Sequence, residues 1–214
     1  MTGLLMFGSL AVAASGVITL AVDIPAWRSR PSVAAGSRLI DSGDYPSAVR
    51  TLLNVVTVAP NDVRAHYLLG IAYARLGVRT GALNQLTDAV RLAPRDPLMH
   101  DGLGRMYRET GNALLALREL EEAARLGPDE PRYQVHLAGL LLDQGQDLAA
   151  VERLRQAARL GPRSADIHLL LAKALQRAGD RRAMVQEYRE VNHLAGDGPL
   201  GEIAKLELGE RRSR

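Results

Sequence analysis

The feature that most constrains this chain is a spacing of 34 residues at which the same residue types return. Glycine returns five times at this spacing, at Gly43, Gly77, Gly111, Gly145 and Gly179. Proline returns four times, at Pro60, Pro94, Pro128 and Pro162. Alanine returns at Ala48, Ala82, Ala116 and Ala150. A fixed period of this length predicts a repeat array, in which each unit buries its apolar face against its neighbours.

The repeated unit resembles the tetratricopeptide repeat (TPR), whose pattern of small, aromatic and proline positions it matches. The resemblance covers about residues 29–198 and implies an all-α solenoid of five tandem helix-turn-helix copies. The copies are expected at residues 29–62, 63–96, 97–130, 131–164 and 165–198. Residues 199–214 are expected to add a short capping helix and a tail, and residues 1–28 to precede the array as a separate segment.

Each copy should contain two antiparallel helices, which we call A and B. In the third copy we expect helix A over about residues 98–110 and helix B over about residues 113–126. Gly111 would end helix A, because glycine adopts the positive φ that follows many helices. Asn112 is a candidate cap for helix B. Small residues such as Ala116 are expected where the two helices touch.

The amino-terminal segment predicts a transmembrane anchor. No charged residue occurs within residues 3–22, and a 20-residue helix rises about 30 Å, the thickness of the hydrocarbon core of a bilayer. Trp27 and Arg28 follow and suit the headgroup layer. Pairs of small residues four apart within the span, such as Ser9 and Ala13, would allow self-association of two helices.

A cleaved signal peptide is the alternative interpretation of this segment. Residues 11–13 offer a small-x-small cleavage site, but no Lys or Arg precedes the apolar run. The basic residues Arg28, Arg30 and Arg38 follow the span, so the positive-inside rule predicts a single-pass protein with a cytoplasmic array. Cleavage, or basic residues upstream, would instead place the array in the periplasm or outside the cell.

No catalytic, metal or cofactor site is predicted. The chain has no Cys, which excludes disulfides and thiolate chemistry, and it lacks phosphate-loop and nucleophile-elbow motifs. His66, His100 and His168 recur at the period, yet equivalent residues of stacked copies are too far apart to share a metal ion. We interpret them as packing residues with one polar edge, and the protein as a non-enzyme.

The resemblance implies that the helices A form a concave groove, and that their exposed residues bind the partner. The candidate groove residues are Arg64, Tyr67, Leu68, Ile71, Arg75, Arg105, Arg108, Arg132, His136, Lys173 and Arg177. They form a mixed wall with a basic excess and an apolar patch at Tyr67, Leu68 and Ile71, which would suit an acidic or amphipathic segment of a partner. Arg105 and Arg108, at the middle of the array, are the expected anchors.

The leading functional hypothesis is therefore a membrane-tethered scaffold or assembly factor that binds a protein or peptide partner. Nucleic-acid binding is the second hypothesis, prompted by a pI near 9.5. It is weaker, because the net charge is only +3 and the groove offers Tyr67 as its one clear stacking aromatic. A periplasmic or secreted TPR adaptor is the further alternative, which applies if the amino-terminal segment is a cleaved signal peptide.

Overall fold

The computed structural model describes residues 32–209, which form eleven α-helices and no strand. The helices A are α1 (Val33–Asp41), α3 (Val63–Arg75), α5 (Pro97–Glu109), α7 (Pro131–Asp143) and α9 (Ala165–Ala178). The helices B are α2 (Tyr45–Val58), α4 (Arg79–Leu92), α6 (Ala113–Leu126), α8 (Asp147–Leu160) and α10 (Arg181–Ala195). The last helix, α11, spans Pro199–Glu207. The predicted all-α repeat solenoid is confirmed.

The five glycines that recur at 34 residues form the turns between A and B. Their φ angles lie between +72° and +81°, a region that side chains rarely adopt. In the first turn the amide of Asp44 donates to the carbonyl of Leu39 and the amide of Gly43 to that of Ile40, both at 2.9 Å. This Schellman pattern satisfies the last carbonyls of helix A and reverses the chain direction.

The turn into α6 differs in one detail from the expectation. Asn112 occupies the N-cap position, but its side chain makes no capping hydrogen bond. Its Nδ2 donates to the Thr110 hydroxyl at 3.0 Å instead. The B-to-A turns are capped more fully, since the carboxylates of Asp62 and Asp96 accept from backbone amides at 2.9 Å.

The helices stack in two layers with different spacing. Each B helix packs against the A helix of its own copy and against the A helix of the next copy. Neighbouring A helices of the first four copies also contact each other, as α3 does α5 and α5 does α7. Comparable contacts between B helices do not occur within residues 32–209. The A layer is therefore the tighter one, and the array curves with helices A on its concave side.

The carboxyl-terminal end of the stack is covered by α11. Leu200, Ile203 and Leu208 pack against the buried Tyr188 and Val191 of the last copy. This helix removes apolar surface of α9 and α10 from water, which a terminal repeat would otherwise expose.

The expectation of a single-pass membrane protein needs correction. No helix within residues 32–209 is long and apolar enough to cross a membrane, since the longest, α10, has 15 residues and a span needs about 20. Residues 3–22, the predicted anchor, lie outside the described part of the chain, as do residues 210–214 of the tail. The membrane localisation and the membrane side of the array are therefore withdrawn.

The A–B contact should not tolerate a larger side chain at its centre. Ala116 is fully buried on α6, so Ala116→Leu should overpack the contact and lower the free energy of unfolding by about 1–3 kcal/mol. Urea unfolding followed by circular dichroism measures this loss. The control is Ala149→Leu on α8, where the side chain is exposed and the unfolding midpoint should stay unchanged. Equal midpoints for the two variants would contradict the packing.

Tyr188 should make the protein sensitive to alkali. Its hydroxyl is buried without a hydrogen-bond partner, and burial, with the nearby Glu207, raises the pKa of the phenol above its ordinary 10.0. Above that ordinary pKa the unfolded state loses the proton first, so stability should fall as pH rises past about 10. Tyr188→Phe should weaken this fall and leave stability at neutral pH unchanged or higher. Thermal unfolding of the wild-type protein and of the Tyr188→Phe variant at a series of alkaline pH values tests this prediction. An identical pH dependence of the two unfolding midpoints would refute it.

Candidate functional site

A cleft on the concave face lies between α3 and α5. It has a volume of about 380 Å³. Tyr67, Leu68 and Ile71 line it from α3, and Met106 lines it from α5. Leu86 of α4 reaches its floor from the B layer. The cleft is therefore a recess with an apolar floor at the second and third copies of the array.

A glycine creates the space for this recess. Gly102 stands in α5 at the place where other copies have Leu68, His136 and Leu170. A Cβ atom on Gly102 would lie 2.7 Å from Cε2 of Tyr67, well inside normal contact distance. The Tyr67 ring can turn into this gap because no side chain fills it. Burial, with the neighbouring Asp101, raises the pKa of the Tyr67 phenol.

Charged side chains form the rim of the cleft. Arg75 of α3 is exposed, while Arg105 and Glu109 stand on α5. The Arg105 guanidinium lies 3.8 Å from the carboxylate of Asp101, too far for a hydrogen bond. Both rim arginines can therefore reach a carboxylate of a bound segment.

Asp101 links the cleft to the next copy. It is only 2% exposed, and the Nδ1 of His136 on α7 lies 2.6 Å from its Oδ1. His136 is thus joined to the cleft through a polar contact between neighbouring A helices. Five of the eleven candidate residues, Tyr67, Leu68, Ile71, Arg75 and Arg105, line the cleft itself.

Two predicted groove arginines are engaged in holding neighbouring copies together. Arg108 of α5 donates through Nε to the Asp143 carboxylate at 2.5 Å. Arg177 of α9 donates to the carbonyl of Leu142 at 2.7 Å and lies 2.8 Å from the carboxylate of Asp147. These side chains bridge copies across 35 or 30 residues of sequence, so a partner would have to displace an existing contact to reach them.

The remaining three candidates lie away from the cleft. Arg64 is exposed at the start of α3, and Lys173 is exposed on α9. Arg132 stacks over the ring of Tyr133 with its Cζ 4.8 Å from the ring centroid, and it donates to the Tyr133 hydroxyl at 2.9 Å. The structure thus gathers one group of candidates and disperses the others along the array.

The sequence pattern missed Gly102, Met106 and Leu86 as lining residues. The available signal was the absence of a side chain at Gly102, at a groove position that is large in neighbouring copies. Met106 and Leu86 occupy apolar positions of the repeat that predict core residues, and they are buried. Both side chains line the cleft beside Gly102.

The periodic histidines form links within copies. The Nδ1 of His100 lies 2.8 Å from the Glu119 carboxylate and its Nε2 lies 3.1 Å from the Pro94 carbonyl. His168 repeats the arrangement with Glu187 and Pro162, and His66 repeats it with Gln85 and Pro60. We call this arrangement the histidine link; it ties helix A, helix B and the preceding turn together.

Comparison with known proteins supports a TPR repeat protein. Residues 36–77 match the family described as TPR repeat, and residues 79–131 match the family described as tetratricopeptide repeat. No curated protein matches the sequence.

Solved structures with a similar fold include MamA, YrrB and PilF. A crystal structure of MamA has a TM-score of 0.65 at 19% identity, covering 82% of this chain and 92% of that one. YrrB, described as a TPR protein with an unusual peptide-binding site, has a TM-score of 0.63 at 15% identity, covering 84% and 95%. PilF from Pseudomonas aeruginosa has a TM-score of 0.72 at 19% identity, covering 84% and 83%. At these identities the likeness shows the fold alone.

The histidine link should contribute to stability through its hydrogen bonds. Glu119→Leu leaves the buried Nδ1 of His100 without an acceptor and should lower the free energy of unfolding by about 1–3 kcal/mol. Glu119→Gln copies the His66–Gln85 pair and should cost clearly less. Urea unfolding of both variants makes the comparison. If the leucine variant were as stable as the glutamine variant, the link would be packing alone.

Proposed function

We propose that this chain is a non-enzymatic scaffold that binds a segment of a protein partner along its A-helix groove. The observation that carries the proposal is the apolar cleft between α3 and α5. An apolar side chain of the segment inserts beside Tyr67, Leu68 and Ile71. Recesses of this kind, with an apolar floor and few polar groups at the rim, are typical of ligand-binding sites.

The rim defines which partner segment suits the cleft. Arg75 and Arg105 stand on opposite walls and have no short ion pair within residues 32–209. An acidic residue on either side of the inserted apolar side chain meets one of them. Glu109 stands at the same rim and disfavours a segment that is acidic throughout. The preferred ligand is therefore an amphipathic segment with one apolar anchor and flanking carboxylates.

The repeat architecture and the comparisons support this proposal. TPR arrays are generally interaction folds, and the match to TPR families covers the copies that form the cleft. One structure of the same fold is described as having a peptide-binding site. We extend peptide binding to this chain on the basis of the cleft, since fold likeness alone assigns no ligand.

Nucleic acid is less suited to this groove than a protein segment. Arg108 and Arg177 are neutralised by Asp143 and Asp147, so the free positive charge is smaller than the sequence suggests. A polyanion gains most of its affinity from unpaired basic residues. The proposal therefore commits to a protein partner.

The test begins with peptides selected from a random library on the full chain. Selected peptides should carry an apolar residue flanked by Asp or Glu. Each exposed contact with an arginine contributes about 0.2–1 kcal/mol, and charge reversal adds repulsion. Arg75→Glu with Arg105→Glu should therefore weaken binding about tenfold or more, as measured by fluorescence anisotropy.

The matched control reverses two exposed arginines of the B layer, Arg159→Glu with Arg189→Glu, which changes the net charge equally. It should leave peptide affinity nearly unchanged. Equal losses in the two double variants would place binding outside the cleft. Tighter binding of mixed-sequence single-stranded RNA, with a steep salt dependence, would favour the nucleic-acid alternative.

A further inference from the structure

The fourth copy breaks the histidine link. At the place of His66, His100 and His168 this copy has Gln134 on α7. At the place of Gln85, Glu119 and Glu187 it has Arg153 on α8. The histidine and the oxygen acceptor of the other copies are thus replaced by a glutamine amide and an arginine cation.

Both replacing side chains are left without partners. Gln134 is 2% exposed, and its Oε1 atom is buried with no hydrogen-bond partner. Arg153 is half-buried and has no ion-pair partner among residues 32–209. A buried acceptor without a donor is costly, and the fold avoids that cost at the same place in three other copies.

The two side chains line a cleft of about 260 Å³ between α6, α7 and α8. This cleft opens among the B helices, so it is separate from the A-helix groove. Ala124 and Leu137 line it with apolar surface and are 8% and 1% exposed. The cleft therefore combines an apolar wall, an unpaired acceptor and an unpaired cation.

Two further charges stand at the cleft. Arg125 already donates two hydrogen bonds to the carboxylate of Glu122, at 2.8 and 2.5 Å. Glu121 is exposed at the edge. With Arg125 neutralised, Arg153 supplies the positive charge, and Glu121 disfavours a ligand that is strongly negative.

We propose that this cleft binds the carboxyl terminus of a peptide. The terminal carboxylate pairs with the guanidinium of Arg153, which presents parallel N–H donors suited to two carboxylate oxygens. The amide N–H of the last residue donates to Oε1 of Gln134. An apolar side chain of that residue packs on Ala124 and Leu137.

The choice of a terminus over other anions follows from the unpaired acceptor. Oε1 of an amide only accepts, so the ligand must bring a donor beside its negative charge. A phosphomonoester dianion or a lone aspartate side chain brings no such donor. A peptide terminus carries an N–H next to its carboxylate, and its single charge is compatible with Glu121.

The probe for this site is N-acetyl-leucine, added to the full chain at constant pH. Its matched control is N-acetyl-leucinamide, which keeps the amide N–H and the side chain but lacks the carboxylate. Nuclear magnetic resonance follows the side-chain amide of Gln134 and the Nε–H of Arg153. We expect saturable shifts of both signals with the acid and none with the amide. Equal shifts with both probes, or no shift up to the solubility limit, would overturn the proposal.

Two variants separate the site from general charge. Arg153→Gln should weaken binding of N-acetyl-leucine about tenfold or more, as loss of a charged hydrogen-bond donor does. Arg159→Gln removes an exposed arginine from the same helix and should leave the affinity unchanged. If Arg159→Gln weakened binding as much as Arg153→Gln, the interaction would be diffuse and the site would be rejected.

The double variant Gln134→His with Arg153→Glu installs the histidine link of the third and fifth copies. It should close the cleft, raise the unfolding midpoint and abolish binding of N-acetyl-leucine. Retained binding, or a folded variant with a lowered unfolding midpoint, would show that replacing the histidine link by Gln134 and Arg153 is not what creates the cleft. Should the double variant fail to fold, Arg153→Gln and Arg159→Gln decide the proposal.

Discussion

The close approach of helices A and B is the constraint on which the rest of the structure depends. A Cβ atom on Gly70 would lie 2.7 Å from Cγ of Leu86, and one on Gly104 would lie 2.8 Å from the Cγ of Leu120. Carbon atoms in contact normally stand about 3.5–4.0 Å apart. Each leucine thus occupies the space beside a helix that has no side chain there. This fixes the distance between the layers and so the curvature that makes a groove.

The sequence predicted the fold well, because the 34-residue period contains both the small packing residues and the glycines of the turns. Gly111 ends α5 with φ +78° as expected, and α6 spans Ala113–Leu126, the predicted range. The same 34-residue spacing places Val63, Pro97, Pro131 and Ala165 at the starts of four helices A. Residues 3–22 have no part in this period, and their assignment rested on hydropathy and on the flanking Trp27 and Arg28. The membrane localisation drawn from it is the expectation that had to be withdrawn.

The candidate site was less predictable, because a helix position specifies a face but not a partner. Arg108 lies on the expected helix, yet it is bound to Asp143, 35 residues further on. Arg177 instead contacts the preceding copy, where it donates to the Leu142 carbonyl. Both contacts depend on the rotation between neighbouring copies, which no single copy encodes. These two arginines therefore make contacts between copies, which a partner would have to replace.

Functional differences between copies arise where the array departs from its own pattern. The packing positions repeat as small residues, such as Gly70 and Gly104, because helices A and B approach closely there. Gly102 departs from Leu68 and Leu170 at a groove position, and the departure makes room for the Tyr67 ring in the wall of the cleft. Gln134 and Arg153 depart from a hydrogen-bonded pair that contributes stability in three copies, and the departure leaves two polar groups unpaired. A repeat protein can accept that local loss, because each copy is stabilised mainly by its immediate neighbours and the remaining links stay intact. Departures of this second kind weaken the copy that carries them, so a ligand that restores the missing contacts also restores stability.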